Sequence, residues 1–202
     1  IKLHETEVSE VSAAREALGT AVPIMVDTNC PWLPDEAREK AEALKPYDLL
    51  WLEEPIFPPE DFSALAKLQV GVGIPIAAGE NACTVFEFEK MFAAGAVTYA
   101  QPSVTKVGGI TELLKVIDSA ELAGVSVMPH SPYFGPGLLA TLHVIAARAP
   151  NSLAERFYVQ PEALLYDEWS HPEAGVFQVP TGPGLGVEPD MNVIGDYGVG
   201  EV

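Results

Sequence analysis

Cysteine is scarce in this sequence: Cys30 and Cys83 are the two in 202 residues. Two thiols cannot make a disulfide framework, and neither has the C-x-x-C partner of a metal site, so they read as free thiols in a reducing, cytoplasmic setting. Basic side chains are few as well, 11 Lys and Arg against 29 Asp and Glu, for a formal charge of -18. That surplus of carboxylates repels phosphate backbones and anionic lipid, which argues against a nucleic-acid or membrane-surface partner. No apolar run reaches the roughly 18 residues of a transmembrane helix, and the charged opening IKLHETEVSE lacks the form of a signal peptide. Core material is not lacking. With 48% hydrophobic and 20% charged residues, the composition is that of a globular domain, not of an acidic disordered tail.

Short apolar runs alternate with amphipathic segments. The runs are VPIMVD (22 to 27), YDLLWLEE (47 to 54), GIPIAAGE (73 to 80), AVTYAQP (96 to 102), GVSVMPH (124 to 130) and NSLAERF (151 to 157), each the length of a buried strand. Helical patterns separate them, with Pro34 placed to open one and Gly19, Gly95 and Gly124 to close others. Strand and helix in strict alternation imply parallel strands joined by crossover helices. A polar residue ends each expected strand, at His4, Asp27, Glu53, Glu80, Ser103, His130 and Glu155, recurring every 23 to 27 residues. Even spacing of this kind means one repeated unit that delivers one side chain per strand end, which favours a (β/α)8-type barrel over an open sheet with a single switch point. The barrel is expected over residues 1–157. Residues 158–202, rich in Pro and Gly, read as an irregular segment that packs on the barrel or on a neighbouring domain.

Asp27, Glu53 and Glu80 end three consecutive expected strands. Neighbouring strands lie about 5 Å apart, so the three carboxylates converge within reach of one ion. Oxygen-only ligands favour Mg²⁺ over Zn²⁺, which prefers His or Cys. Glu54, next in the chain, points to the other side of its strand and reads as a supporting acid.

The strings VDTN around Asp27, WLEEP around Glu53, AAGEN around Glu80 and KVGGI at 106 to 110 together resemble the enolase superfamily, and within it the mandelate racemase-like branch. The resemblance implies a modified barrel with strands 2 to 8 present, a Mg²⁺ held by Asp27, Glu53 and Glu80, and abstraction of the proton alpha to a substrate carboxylate. The superfamily's scheme of a Lys or His base with Mg²⁺ stabilising an ene-diolate is a known pattern. It also implies a symmetric homo-oligomer, an N-terminal capping domain of about 130 residues and a first barrel strand, neither of which is represented in these 202 residues.

Further roles follow from the resemblance. Lys2 and His4 alternate on one strand and occupy what resembles the Lys-x-Lys position, with His4 in place of the second Lys, usually the base. His130, in VMPHSPYFGPG, matches the histidine base of the opposite face. Its usual Asp partner is replaced by Ser103, which carries no charge to stabilise an imidazolium. Glu155, in LAERF, resembles the acid that hydrogen-bonds the intermediate's carboxylate. Asn29 and Asn81 orient their neighbouring ligands or contact substrate. Lys106 leans toward the site or faces solvent, Arg156 pairs with a nearby carboxylate, and Trp32, Tyr133 and Phe134 line a pocket or simply pack. The expected reaction is dehydration of a sugar acid. A racemase or epimerase of a 2-substituted carboxylate is the second reading, and a barrel that binds Mg²⁺ without chemistry is the third.

Overall fold

The computed structural model describes residues 1–200. Six strands, β1 (Lys2–His4), β2 (Met25–Asp27), β3 (Trp51–Glu53), β4 (Ile76–Ala78), β5 (Tyr99–Ala100) and β6 (Ser126–Val127), pair in parallel and in chain order. Between or after them run α1 (Val8–Leu18), α2 (Pro34–Leu44), α3 (Phe62–Val72), α4 (Val85–Ala93), α5 (Ile110–Ala123) and α6 (Pro136–Arg148). An open doubly wound sheet reverses its strand order at a switch point, whereas an uninterrupted order with a helix at every crossover is that of a (β/α) barrel.

Local chemistry explains the helix bounds. Pro34 sits in the first turn of α2, followed by Asp35 and Glu36, which suit the positive end of the helix dipole. Asp61 caps α3 by accepting from Ala64 N at 2.9 Å. Thr84 and Glu87 cap α4 reciprocally, Thr84 Oγ1 accepting from Glu87 N and the Glu87 carboxylate accepting from Cys83 N at 3.0 Å. Each helix turns a stripe inward: Ala37, Ala41 and Leu44 from α2, Phe88 and Met91 from α4, and Leu113, Val116, Ile117 and Ala120 from α5. These meet Ile24, Val26, Leu52 and Ile76 in one continuous core. Among the described residues no helix is long and apolar enough to cross a membrane.

One expectation needs correction. Residues 151–157 do not form a seventh strand. The segment runs beside β6 through side chains: the Ser152 hydroxyl donates to the Val127 carbonyl, Leu153 N to Met128 Sδ at 3.2 Å, and Glu155 N to Ser131 Oγ at 3.3 Å. Ser152 thereby takes the carbonyl that a ladder bond requires, and Pro129 has no N–H to offer. Residues 158–200 are mostly irregular with two short regular pieces. They hold a 3-10 turn (Asp167–Trp169) and a short helix, α7 (Met191–Tyr197), capped by Asp190. Asp190 follows Pro189, so the cap was hidden within a Pro and Gly-rich stretch. His143 Nε2, 3.0 Å from the Leu185 carbonyl, links the segment to α6; Glu201 and Val202 lie outside the described residues.

Candidate metal centre and active site

Register aligns the chemistry. His4, Asp27 and Glu53 are direct partners across β1, β2 and β3, and so stand side by side at the strands' carboxyl ends. β4 stops at Ala78, and Glu80 follows after Gly79, whose φ of +136° carries the chain toward the other two acids. Asp27, Glu53 and Glu80 each offer an oxygen within 4.8 Å of the others. Oxygens on opposite sides of an octahedral Mg²⁺ are separated by roughly 4 Å, so small adjustments of these three side chains fit a hard divalent cation. Their orientations are held from outside: Asn29 N donates to Asp27 Oδ1 at 3.1 Å, and the Trp51 indole N–H donates to Glu53 Oε2 at 2.9 Å.

Lys2 enters this cluster from β1. Its Nζ lies 3.0 Å from Asp27 Oδ2, 3.0 Å from Glu53 Oε1 and 2.7 Å from Glu155 Oε1. Burial works against its charge, but Glu53, Glu155 and Asp27 together outweigh burial and hold the ammonium well above its ordinary range. Burial likewise pushes the Glu53 carboxyl up, with Asp27 adding to that push and Lys2 opposing it. His4 Nε2 is 3.0 Å from Asp27 Oδ2 and is half exposed, so it faces both the acids and solvent.

His130 arrives in the loop after β6. Its Nδ1 is 2.7 Å from Glu80 Oε2 and 3.8 Å from Glu155 Oε2, the closer approach lying off the line of an aligned hydrogen bond. Burial alone raises the Glu80 carboxyl; His130, with Lys106 and Lys2, reverses this and holds it below the usual range. Lys106 Nζ stands 3.9 Å from Glu80 Oε1, so it does lean toward the site. Ser103 meets Tyr133 Oη at 2.5 Å and Thr105 Oγ1 at 2.9 Å, while the Tyr133 ring packs edge-on against His130. The carboxylates facing His130 are therefore Glu80 and Glu155, and a trio of hydroxyls occupies the ground of the expected aspartate.

Asn81 turns away from Glu80 and donates to Glu54 Oε2 at 2.6 Å, beside the Cys30 thiol at 3.2 Å from the same oxygen. Burial and the Glu80 charge push Glu54 up to about 7. Among the described residues Arg156 pairs with no carboxylate; it donates to the carbonyls of Ser170 and Val159 and stacks on Phe134. Trp32 is core. A cavity lined among others by Lys2, His4, Trp51, Gln101 and Glu155 lies between β1 and residues 153–158.

Some participants were missed in the sequence. Trp51 shares a face with Glu53 by strand alternation, a signal that was available. Gln101, buried in the cavity wall with Oε1 unpartnered among the described residues, and the Cys30 contact with Glu54 left no such signal.

A family model described as enolase C-terminal domain-like matches residues 1–193. The chain is 34% identical over 198 residues to a 3,6-anhydro-alpha-L-galactonate cycloisomerase of Streptomyces coelicolor, covering 96% of this chain and 52% of that protein. It is 32% identical to a D-galactonate dehydratase of Ralstonia nicotianae, covering 94% and 52%. Among solved structures, an L-talarate dehydratase from Polaromonas sp. JS666 complexed with Mg and L-glucarate is 30% identical, with a TM-score of 0.77 and coverage of 96% and 53%. A mandelate racemase/muconate lactonizing enzyme-like protein from Rubrobacter xylanophilus is 33% identical, with a TM-score of 0.82 and coverage of 94% and 49%. The chain spans about half the length of the curated relatives it matches.

Proposed function

The chain belongs to the enolase C-terminal domain-like family, and from that premise we propose that it carries the catalytic barrel of a Mg²⁺-dependent acid-sugar dehydratase. In this reading residues 1–157 hold the site and residues 158–202 pack on it. The observation that carries the reading is the convergence of Asp27, Glu53 and Glu80 within 4.8 Å, flanked by Lys2 and His4 from one end of the sheet and by His130 from the other. Two solved or curated relatives named as acid-sugar dehydratases support the choice of substrate class.

A proton alpha to a carboxylate is weakly acidic because its loss places a second negative charge on that carboxylate. Mg²⁺ bound by Asp27, Glu53 and Glu80 supplies Lewis-acid stabilisation where that charge develops. The protein's own side chains do the rest. Lys2, held charged by three carboxylates, is a standing positive charge beside the substrate carboxylate and a poor proton acceptor. His4, open to the cavity, is the better base on that face. His130, with Glu80 and Glu155 facing its Nδ1, delivers a proton to the departing beta hydroxyl. Glu155 fixes Lys2 and the far edge of the cavity. Asn29, exposed beside Asp27, contacts a substrate hydroxyl; Asn81 contributes through its amide oxygen, and Ser103, buried, acts through Tyr133.

The second reading, a racemase or epimerase, is favoured by one observation: His130 has carboxylate neighbours despite Ser103, so a base stands at each end of the sheet. Incubation with Mg²⁺ and a panel of sugar acids in D₂O separates the readings. A 2-keto-3-deoxy acid is the expected product. Deuterium at the alpha carbon with inverted configuration and no loss of water instead establishes the racemase, and Mg²⁺ binding with no alpha exchange across the panel refutes both.

A further inference from the structure

We infer that Glu54 is a positioning residue, whose buried carboxyl locks together the three loops that carry Asp27, Glu53 and Glu80. The inference rests on the proposed metal reading of those three acids. Glu54 follows Glu53 but takes no part in their cluster and does not line the cavity beside Lys2 and His4. It is only 3% exposed and has a φ of +44°, a conformation that costs energy in a residue with a Cβ and persists where the surroundings impose it.

Those surroundings come from all three ligand loops. From the loop after β2, the Cys30 thiol lies 3.2 Å from Glu54 Oε2, and Cys30 N donates to the Glu54 carbonyl at 2.7 Å. Thr28, adjacent to Asp27, donates its hydroxyl to the Glu53 and Glu54 carbonyls at 3.1 Å each. From the loop after β4, Asn81 Nδ2 donates to Oε2 at 2.6 Å. Asn81 is the residue that follows Glu80. One carboxyl thus grips the loop that carries Glu80, through Asn81, and the loop three residues past Asp27, through Cys30. A ligand set drawn from three separate loops binds a cation well only if the loops are held at fixed separation, and groups that do so typically contribute 10- to 100-fold in metal affinity.

The test is calorimetric titration of Mg²⁺ into the metal-free protein, with urea unfolding of each variant measured in parallel. Glu54→Gln and Asn81→Ala are each expected to weaken Mg²⁺ binding by about 10- to 100-fold. The double variant is expected to lose little beyond the worse single, because both changes break one contact. Asn81 is exposed, so Asn81→Ala leaves a folded protein even where Glu54→Gln does not. Binding within about twofold of the parent in Asn81→Ala, with or without a fall in urea stability, overturns the inference and assigns Glu54 to stability alone; so do fully additive losses in the double variant. A parent that takes up no Mg²⁺ overturns the metal reading itself, an outcome distinct from a parent and variants that bind alike.

Discussion

Replacing Lys2 by Met removes the one ammonium that stands within 3.0 Å of Asp27, Glu53 and Glu155 at once. Each pair at that distance is worth about 5.5 kcal/mol of Coulomb energy at an effective dielectric of 20, before the cost of taking the charges out of water. The lysine side chain is 13% exposed and those of Asp27 and Glu53 are 3% and 0% exposed, so the variant strands two buried carboxylates without a counter-charge. Losing one partner of a buried pair costs about 3–5 kcal/mol. In the metal-free protein, with a urea slope of about 2 kcal/mol per M for a chain of this size, the unfolding midpoint is expected to fall by roughly 2 M. Mg²⁺ should then repair the variant more than it helps the parent, because it no longer shares Asp27 Oδ2 and Glu53 Oε1 with an ammonium. At a concentration a hundredfold above the parent's Kd the parent gains about 2.7 kcal/mol, and Lys2→Met is expected to gain more. A metal-free midpoint within about 0.3 M of the parent, or an equal gain from Mg²⁺, refutes the account of Lys2 as the cluster's resident cation.

A Cβ at Gly79 meets Phe88 Cε1 at 2.7 Å and Gln101 N at 3.1 Å, at a φ of +136°; Gly79→Ala is expected to cost about 1–3 kcal/mol in urea unfolding and to weaken Mg²⁺ binding by shifting Glu80, and parent-like values of both disprove it. Tyr133→Phe deletes the hydroxyl shared by Ser103 and Thr105 but leaves those two bonded to each other at 2.9 Å, so the expected loss is about 1 kcal/mol, and a loss above about 3 kcal/mol shows that the hydroxyl does more. Burial, followed by the charges of Glu54, Glu80 and Asp27, pushes the Cys30 thiol up. Since the thiolate is the reactive form, a disulfide reagent at pH 8 should label exposed Cys83 in a fast phase and Cys30 in a much slower one, with both fast in denaturant. A single fast phase for two thiols in the folded protein contradicts that environment.

Much of the fold was legible because periodicity records which face of an element is buried. The stripes of α2, α4 and α5 and their Pro and Gly boundaries follow from residues within one or two turns of each other. The three acids were legible for a related reason: an even spacing of strand ends implies a repeated unit, and a repeated unit aligns its ends. The segment 151–157 shows where that reasoning stops. Its composition is that of a strand, but pairing requires a neighbour with free N–H and C=O groups, and Pro129 and the Ser152 hydroxyl remove them.

Sequence alone therefore determined the alternation of the first six strands with their helices, the barrel class and the placement of Asp27, Glu53 and Glu80 at the carboxyl ends, all consequences of local pattern and repeat length. Only the tertiary structure decided that Lys2 sits among three carboxylates, that His130 faces Glu80 and Glu155 rather than Ser103, and that Asn81 reaches 27 positions back to Glu54. Those pairings depend on loop dihedrals such as the positive φ of Asn29, Cys30 and Glu54 and on side-chain directions, which are set by packing between segments distant in the chain.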